Sequence, residues 1–187
     1  MILHAGCGPC YIDGMFNVDV RTEYKTDYCG NIFDLTNPEC KSYIAPNSVE
    51  MIWSCHMLEH LEYPHYVVSC LKAFHSWLIP DGLLRLAVPD LELIIKYYTE
   101  KDEKLLLLYG SQMDYAFYKP KSMAERVNFF VKGWEHKIAF DYTLLHELLD
   151  DAGFKNIEKM EPYVSRWLGD WEYDRMEIET LFVEAEK

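Results

Sequence analysis

Positive charge is scarce in this chain: 18 Lys and Arg stand against 31 Asp and Glu, a formal net charge of −13. Such a field repels phosphate backbones, and the cations are scattered singly, with Lys119 and Lys121 their densest group, so no nucleic-acid partner is expected. Long apolar runs are also missing: none approaches the ~20 residues that span a bilayer. Ile2 enters an apolar strand pattern without a basic segment before it, so neither a membrane partner nor a secretory leader is expected, and the default compartment is the cytoplasm. A second cysteine pair, beyond Cys7 and Cys10, is lacking too. Cys29, Cys40, Cys55 and Cys70 stand alone in sequence, which supplies no second ligand pair for zinc, and no metal site is expected. At 187 residues the chain needs no covalent staples, so its six cysteines read as free thiols of a reducing compartment.

What is present points to a globular domain. Half of the residues are apolar and 15% aromatic, enough to build a core, and the length fits one domain over 1–187. Ile2 to Ala5 is a short apolar run ending at Gly6, as in a buried parallel strand meeting a turn. Phe16 to Val20, with Asp19 near its end, is a second strand, and Thr26 to Cys29 a weaker third. Asn47 and Ser48 precede a fourth strand that delivers Ser54, Cys55 and His56 at its carboxyl end.

Val67, Leu71, Phe74 and Leu78 recur at helical spacing. Pro80-Asp81-Gly82 then turns the chain into a fifth strand, Leu83 to Val88. Pro89 and Asp90 open a helix with Leu91, Ile94, Ile95 and Tyr98 on one face. Residues from about Lys101 to Lys137 are broken by Gly110, Pro120 and Gly133 and are expected to form a lid over a pocket. Leu144, Leu145, Leu148, Leu149 and Ala152 make an amphipathic helix closed by Gly153, followed by a strand at Asn156 to Met160 and a last one at Thr180 to Glu186. Alternating strands and helices predict an α/β doubly wound sheet.

Strand, glycine turn, strand ending in Asp is the logic of a nucleoside pocket: glycines let a ligand approach the backbone, and a carboxylate accepts from ribose hydroxyls. Gly6, Gly8 and Asp19 supply those parts, although Gly6-Cys7-Gly8-Pro9-Cys10-Tyr11 lacks the third glycine of the dinucleotide fingerprint. The stretch from Gly8 to Phe16 is shorter than the dozen or more residues of a helical crossover, so the first helix is expected to be vestigial. Cys7-Gly8-Pro9-Cys10 also spells the active-site tetrapeptide of thioredoxins, which keeps a thiol-disulfide oxidoreductase as an alternative. Its flanks argue against that, because Asp13-Gly14 interrupts any following helix. Trp167, Trp171 and Tyr173 are expected to pack on the core rather than form a stacking surface.

Taken together, several motifs in order resemble the small class I S-adenosylmethionine-dependent methyltransferases of the methyltransferase type 11 kind. Leu3-His4-Ala5-Gly6-Cys7-Gly8 is similar to their first motif, Phe16-Asn17-Val18-Asp19-Val20 to their second strand, and His56-Met57-Leu58-Glu59-His60-Leu61 to their "h-x-LEHL" element. Leu78-Ile79-Pro80-Asp81-Gly82 and Leu83 to Pro89 resemble the "LKPGG" turn and fifth strand, and the LLDDAGF ending at Phe154 resembles their last helix.

The resemblance implies a Rossmann-like, seven-stranded, mostly parallel sheet with an antiparallel last strand. It implies S-adenosylmethionine as cofactor, with the methionine part against Ala5, Gly6, Cys7 and Gly8 and the ribose on Asp19. The adenine would lie near Asn31 and Ile32, where Asn31 replaces the usual acid, and Ser54, Cys55 and His56 would border the methionine and the acceptor. Methyl transfer to oxygen or nitrogen asks for positioning and often a base, and His136 and His56 are the candidates, with His60 read as structural. By resemblance alone the acceptor is a small molecule or glycan. A non-catalytic, cofactor-binding partner domain is the alternative that the short first crossover and Asn31 suggest.

Overall fold

The computed structural model describes residues 1–102, 122–167 and 169–187, so residues 103–121 of the expected lid lie outside the described residues. The strands are β1 (Ile2–Ala5), β2 (Phe16–Asp19), β3 (Tyr28–Cys29), β4 (Val49–Cys55), β5 (Leu78–Pro89), β6 (Lys155–Met160), β7 (Val164–Ser165), β8 (Gly169–Asp170) and β9 (Thr180–Glu186). Seven of them form one sheet in the order β3-β2-β1-β4-β5-β9-β6, while β7 and β8 pair separately. β1 pairs in parallel with β2 and β4, β2 with β3 and β4 with β5, and only β9 runs antiparallel to its neighbours β5 and β6. The fold is the expected α/β Rossmann-like sheet with an antiparallel last strand.

Period-two alternation divides the strands between two cores. Leu3 and Ala5 of β1, Ile52 of β4, Leu84 and Leu86 of β5, and Val183 of β9 face one side, where α1 (His65–Trp77) and α4 (Tyr142–Ala152) cover them. Met51, Trp53, Leu83, Ala87 and Phe182 face the other, capped by Trp171. α1 buries Val67, Cys70, Leu71, Phe74 and Trp77. β5 begins at Leu78 rather than at Leu83, because Leu78 pairs with Val49 and a register shift between Val49 and Met51 absorbs the Pro80-Asp81-Gly82 segment.

Asp90 caps α2 (Leu91–Glu100) by accepting from Leu93 N at 3.1 Å. Its buried stripe is Ile94 and Tyr97 with Leu91 beside them, whereas Ile95 and Tyr98, expected on that face, are 51% and 47% exposed. The stripe follows i, i+3 because α2 packs on Phe130 of α3 (Met123–Lys132) and the Tyr97 hydroxyl donates to Ile178 O at 3.2 Å. Among the described residues no helix is long and apolar enough to cross a membrane.

Residues 6–15, between β1 and β2, contain no helix at all, so even the vestigial first helix is replaced by turns. A side chain takes over the helix's work of satisfying backbone groups. Asn17, fully buried on β2, accepts from Ile12 N at 3.0 Å and donates to Ile12 O at 2.9 Å and Met15 O at 2.8 Å.

Arg85 occupies the middle of β5 with no exposed surface. Its Nη1 donates to Glu184 Oε1 on β9 at 2.8 Å and to Val164 O at 2.9 Å, and its Nε and Nη2 engage both carboxylate oxygens of Asp174. Those carboxylates bind further: Asp174 accepts from Tyr163 N at 2.7 Å and Glu184 from Arg166 N at 2.9 Å. One guanidinium therefore ties the segment 163–176 to the sheet, and that segment borders the cavity described next.

Candidate active site

A cavity of about 680 Å³ opens at the carboxyl ends of β1, β2, β4 and β5, in the range typical of small-molecule sites. It lies where chain order reverses between β1 and β4, the switch point at which open α/β sheets bind ligands.

Its floor is the glycine turn. Gly6 has φ +72° and Gly8 φ +54°, both in the left-handed region that side chains avoid. A Cβ on Gly6 would fall 2.4 Å from Met57 Cγ, whereas a Cβ on Gly8 would meet nothing within 4 Å. Gly6 is thus fixed by packing, and Gly8 leaves its backbone open to a ligand. Asp19, ending β2, holds this turn through Oδ2, which accepts from Gly8 N at 2.8 Å, while Oδ1 accepts from Arg21 N at 2.9 Å. Of roughly four acceptor positions on a carboxylate these use two, which leaves lone pairs for ligand hydroxyls.

Gly6, Cys7, Gly8, Asp19, Asn31, Ile32, Cys55, His56 and His136 all line the cavity. Ala5 and Ser54 do not. Both are buried and alternate to the opposite side of the sheet from His4 and from Trp53 and Cys55, which do line it, so only their backbones approach the site. Asn31 caps the 3-10 turn Ile32–Thr36, its Oδ1 accepting from Phe33 N at 3.0 Å, so one lone pair of that oxygen is already used. Of the aromatic loop, Trp171 packs edge-on to Trp53 at 5.8 Å, Tyr173 lines the cavity and Trp167 is 45% exposed.

The Cys7 thiol does not suit disulfide exchange. Burial, then the Asp19 carboxylate, pushes its pKa up to about 11, and the chain after Cys10 forms turns, so no helix N-terminus is there to acidify it.

The histidines divide sharply. His56 Nε2 lies 2.9 Å from Thr180 Oγ1, whose hydroxyl reaches Met176 O at 2.8 Å, and His56 Nδ1 lies 3.2 Å from Glu59 Oε1. Burial opposes a positive charge on this ring, but contact with the Glu59 carboxylate outweighs it and raises the His56 pKa above the ordinary histidine value. His56 thus sits at the cavity between the Glu59 carboxylate and the Thr180 hydroxyl, with its affinity for a proton raised by Glu59. His136 Nδ1–H donates to Phe130 O at 2.8 Å, which leaves Nε2 as the ring nitrogen outside that bond.

Three lining groups escaped the sequence reading. Glu59 is completely buried; burial alone would raise its pKa, but the hydrogen bond from His56 and the nearby imidazoles hold it below the ordinary glutamate value. His60, read as structural, faces the cavity with its ring 5.0 Å from that of His136. Glu179, just before β9, has its pKa raised by burial, with the His56 charge opposing. The LEHL stretch was the signal for the first two. Glu179 had none, since it reaches the cavity only through the return of β9.

No family model matches the chain, and no curated protein matches it in sequence. Solved structures do match in fold. An S-adenosylmethionine-dependent methyltransferase from Archaeoglobus fulgidus superposes with a TM-score of 0.60 at 15% identity over 100% of this chain and 85% of its own. Another, from Mesorhizobium loti, gives a TM-score of 0.54 at 16% identity over 100% of this chain and 90% of its own. The chain has the class I S-adenosylmethionine-dependent methyltransferase fold.

Proposed function

We propose that this protein transfers a methyl group from S-adenosylmethionine to an oxygen or nitrogen of a small-molecule or glycan acceptor in the cytoplasm. What carries the reading is the convergence, at the switch-point cavity, of an open glycine turn at Gly8 with the Asp19 carboxylate at the end of β2. In this reading the methionine portion lies along Gly6, Cys7 and Gly8, Asp19 accepts from the ribose hydroxyls, and the adenine rests beside Asn31 and Ile32.

The acceptor would enter beside Tyr173 and His136, where Phe130, Trp134 and Glu135 also line the cavity. In this reading His136, through Nε2, accepts the acceptor's proton, and His56 beside Glu59 is the second candidate base. The net charge of −13 argues against polyanionic acceptors.

Release of S-adenosylhomocysteine from S-adenosylmethionine is the assay, run over a panel of sugars, phenols and amines. At least one acceptor should raise it above the acceptor-free rate, and His136→Ala should lower that turnover about 100-fold, the low end for loss of a general base. The missing helix between β1 and β2 favours a second reading, a cofactor-binding domain without chemistry. Cofactor binding with no turnover on any acceptor would support it.

A further inference from the structure

Glu59, His60 and His136 place one ligand atom each within 4.8 Å of one another at the cavity wall. Glu59 Oε1 is 4.0 Å from His60 Nε2. Neither carboxylate oxygen meets a well-aligned hydrogen-bond donor although the side chain is fully buried; Oε1 has only ion-pair contacts, the nearer with His56 Nδ1 at 3.2 Å, and such oxygens cost free energy unless something cationic meets them. His136 donates Nδ1–H to a backbone carbonyl, the arrangement that fixes the tautomer and ring orientation of metal-ligating histidines and turns Nε2 outward. The two parts of the cluster are bolted together, because Lys137 N donates to Glu59 O at 2.7 Å.

We propose that Glu59, His60 and His136 bind a divalent transition cation of the zinc(II) class. Two imidazoles and one carboxylate form a donor set suited to zinc(II), cobalt(II) or iron(II) rather than to magnesium or calcium, which favour all-oxygen shells. A tetrahedral ion with bonds near 2.1 Å holds its ligand atoms about 3.4 Å apart, so the rings close in by about an ångström on binding. Three protein ligands leave at least one position for water or an oxygen of a molecule in the cavity.

With the cation bound, His136 Nε2 would be a ligand, so the base role proposed for His136 belongs to the metal-free protein. Sequence inspection sought metal ligands among cysteines and could not see this set, since His136 meets Glu59 and His60 only through the fold.

Cobalt(II) titration of the full chain, followed by visible absorption with no S-adenosylmethionine present, tests the site. The wild type should bind one cobalt(II) with the intense bands of a four- or five-coordinate ion, and zinc(II) should displace it. His60→Ala and His136→Ala, both at partly exposed positions, should each weaken binding by at least about tenfold, in line with the losses seen at metal shells. Glu59→Gln should do the same, with circular dichroism confirming its fold. Wild-type protein that leaves cobalt(II) in its aquo form, or unchanged affinity in either histidine variant, overturns the proposal. Because no cofactor or acceptor is present, a failure of methyl transfer leaves this result untouched.

Discussion

Arg85→Leu is expected to destabilise the fold by about 3–5 kcal/mol, because removing one partner of a buried ion pair strands the other charges away from water. Asp174 and Glu184 have no side-chain exposure, and Arg85 is their shared cation. The loss should appear as a lower urea midpoint with little change in slope. Substituting all three groups, as Arg85→Leu with Asp174→Asn and Glu184→Gln, should recover much of it. The amides keep acceptors for Tyr163 N and Arg166 N, which purely apolar replacements would orphan. If Arg85→Leu alone costs less than about 1 kcal/mol, the carboxylates are not held as charges by Arg85.

Gly6→Ala and Gly8→Ala should separate packing from ligand access at the same turn. At Gly6 the new Cβ meets Met57 at 2.4 Å with φ at +72°, so a left-handed penalty of about 1–2 kcal/mol adds to an overpacking cost of about 1–3 kcal/mol. Displacing Met57 also disturbs the adjoining His56 to His60 wall, so Gly6→Ala should lose both stability and cofactor affinity. At Gly8 only the backbone penalty of about 1–2 kcal/mol applies, and the added methyl projects into open space. Gly8→Ala should therefore melt only a few degrees below the wild type, less than Gly6→Ala loses, yet bind cofactor at least about tenfold more weakly, a change of about 1.4 kcal/mol. Equal behaviour of the two variants in melting and in calorimetry would contradict this division.

Most of the sheet was legible because β1, β4 and β5 are buried on both faces and so appear as apolar runs, and α1 and α4 carry unbroken helical stripes. The ends of elements were less so. Leu78 was placed on the helix because its spacing fits there, while its pairing with Val49 is a long-range fact. That Gly6, Gly8 and Asp19 would share one cavity was legible because strand ends of a doubly wound sheet converge.

The surroundings of His56 could not be read from sequence, since its partners Glu59 and Thr180 come from a neighbouring turn and from the last strand. Ala5 and Ser54 were placed at the site by motif position, but alternation turns their side chains into the core. Arg85 did leave a trace: a single charge inside Leu83-Leu84-Arg85-Leu86-Ala87-Val88 implies a buried partner, though not which one.

Calorimetric titration of the purified chain with S-adenosylmethionine and S-adenosylhomocysteine, repeated on Asp19→Ala, tests the central claim most directly. One ligand per chain should bind with a micromolar-range Kd, and Asp19→Ala should abolish binding by removing both the ribose acceptor and the contact to Gly8 N. A well-folded wild type that binds neither compound would contradict the account and leave the methyltransferase fold without its cofactor.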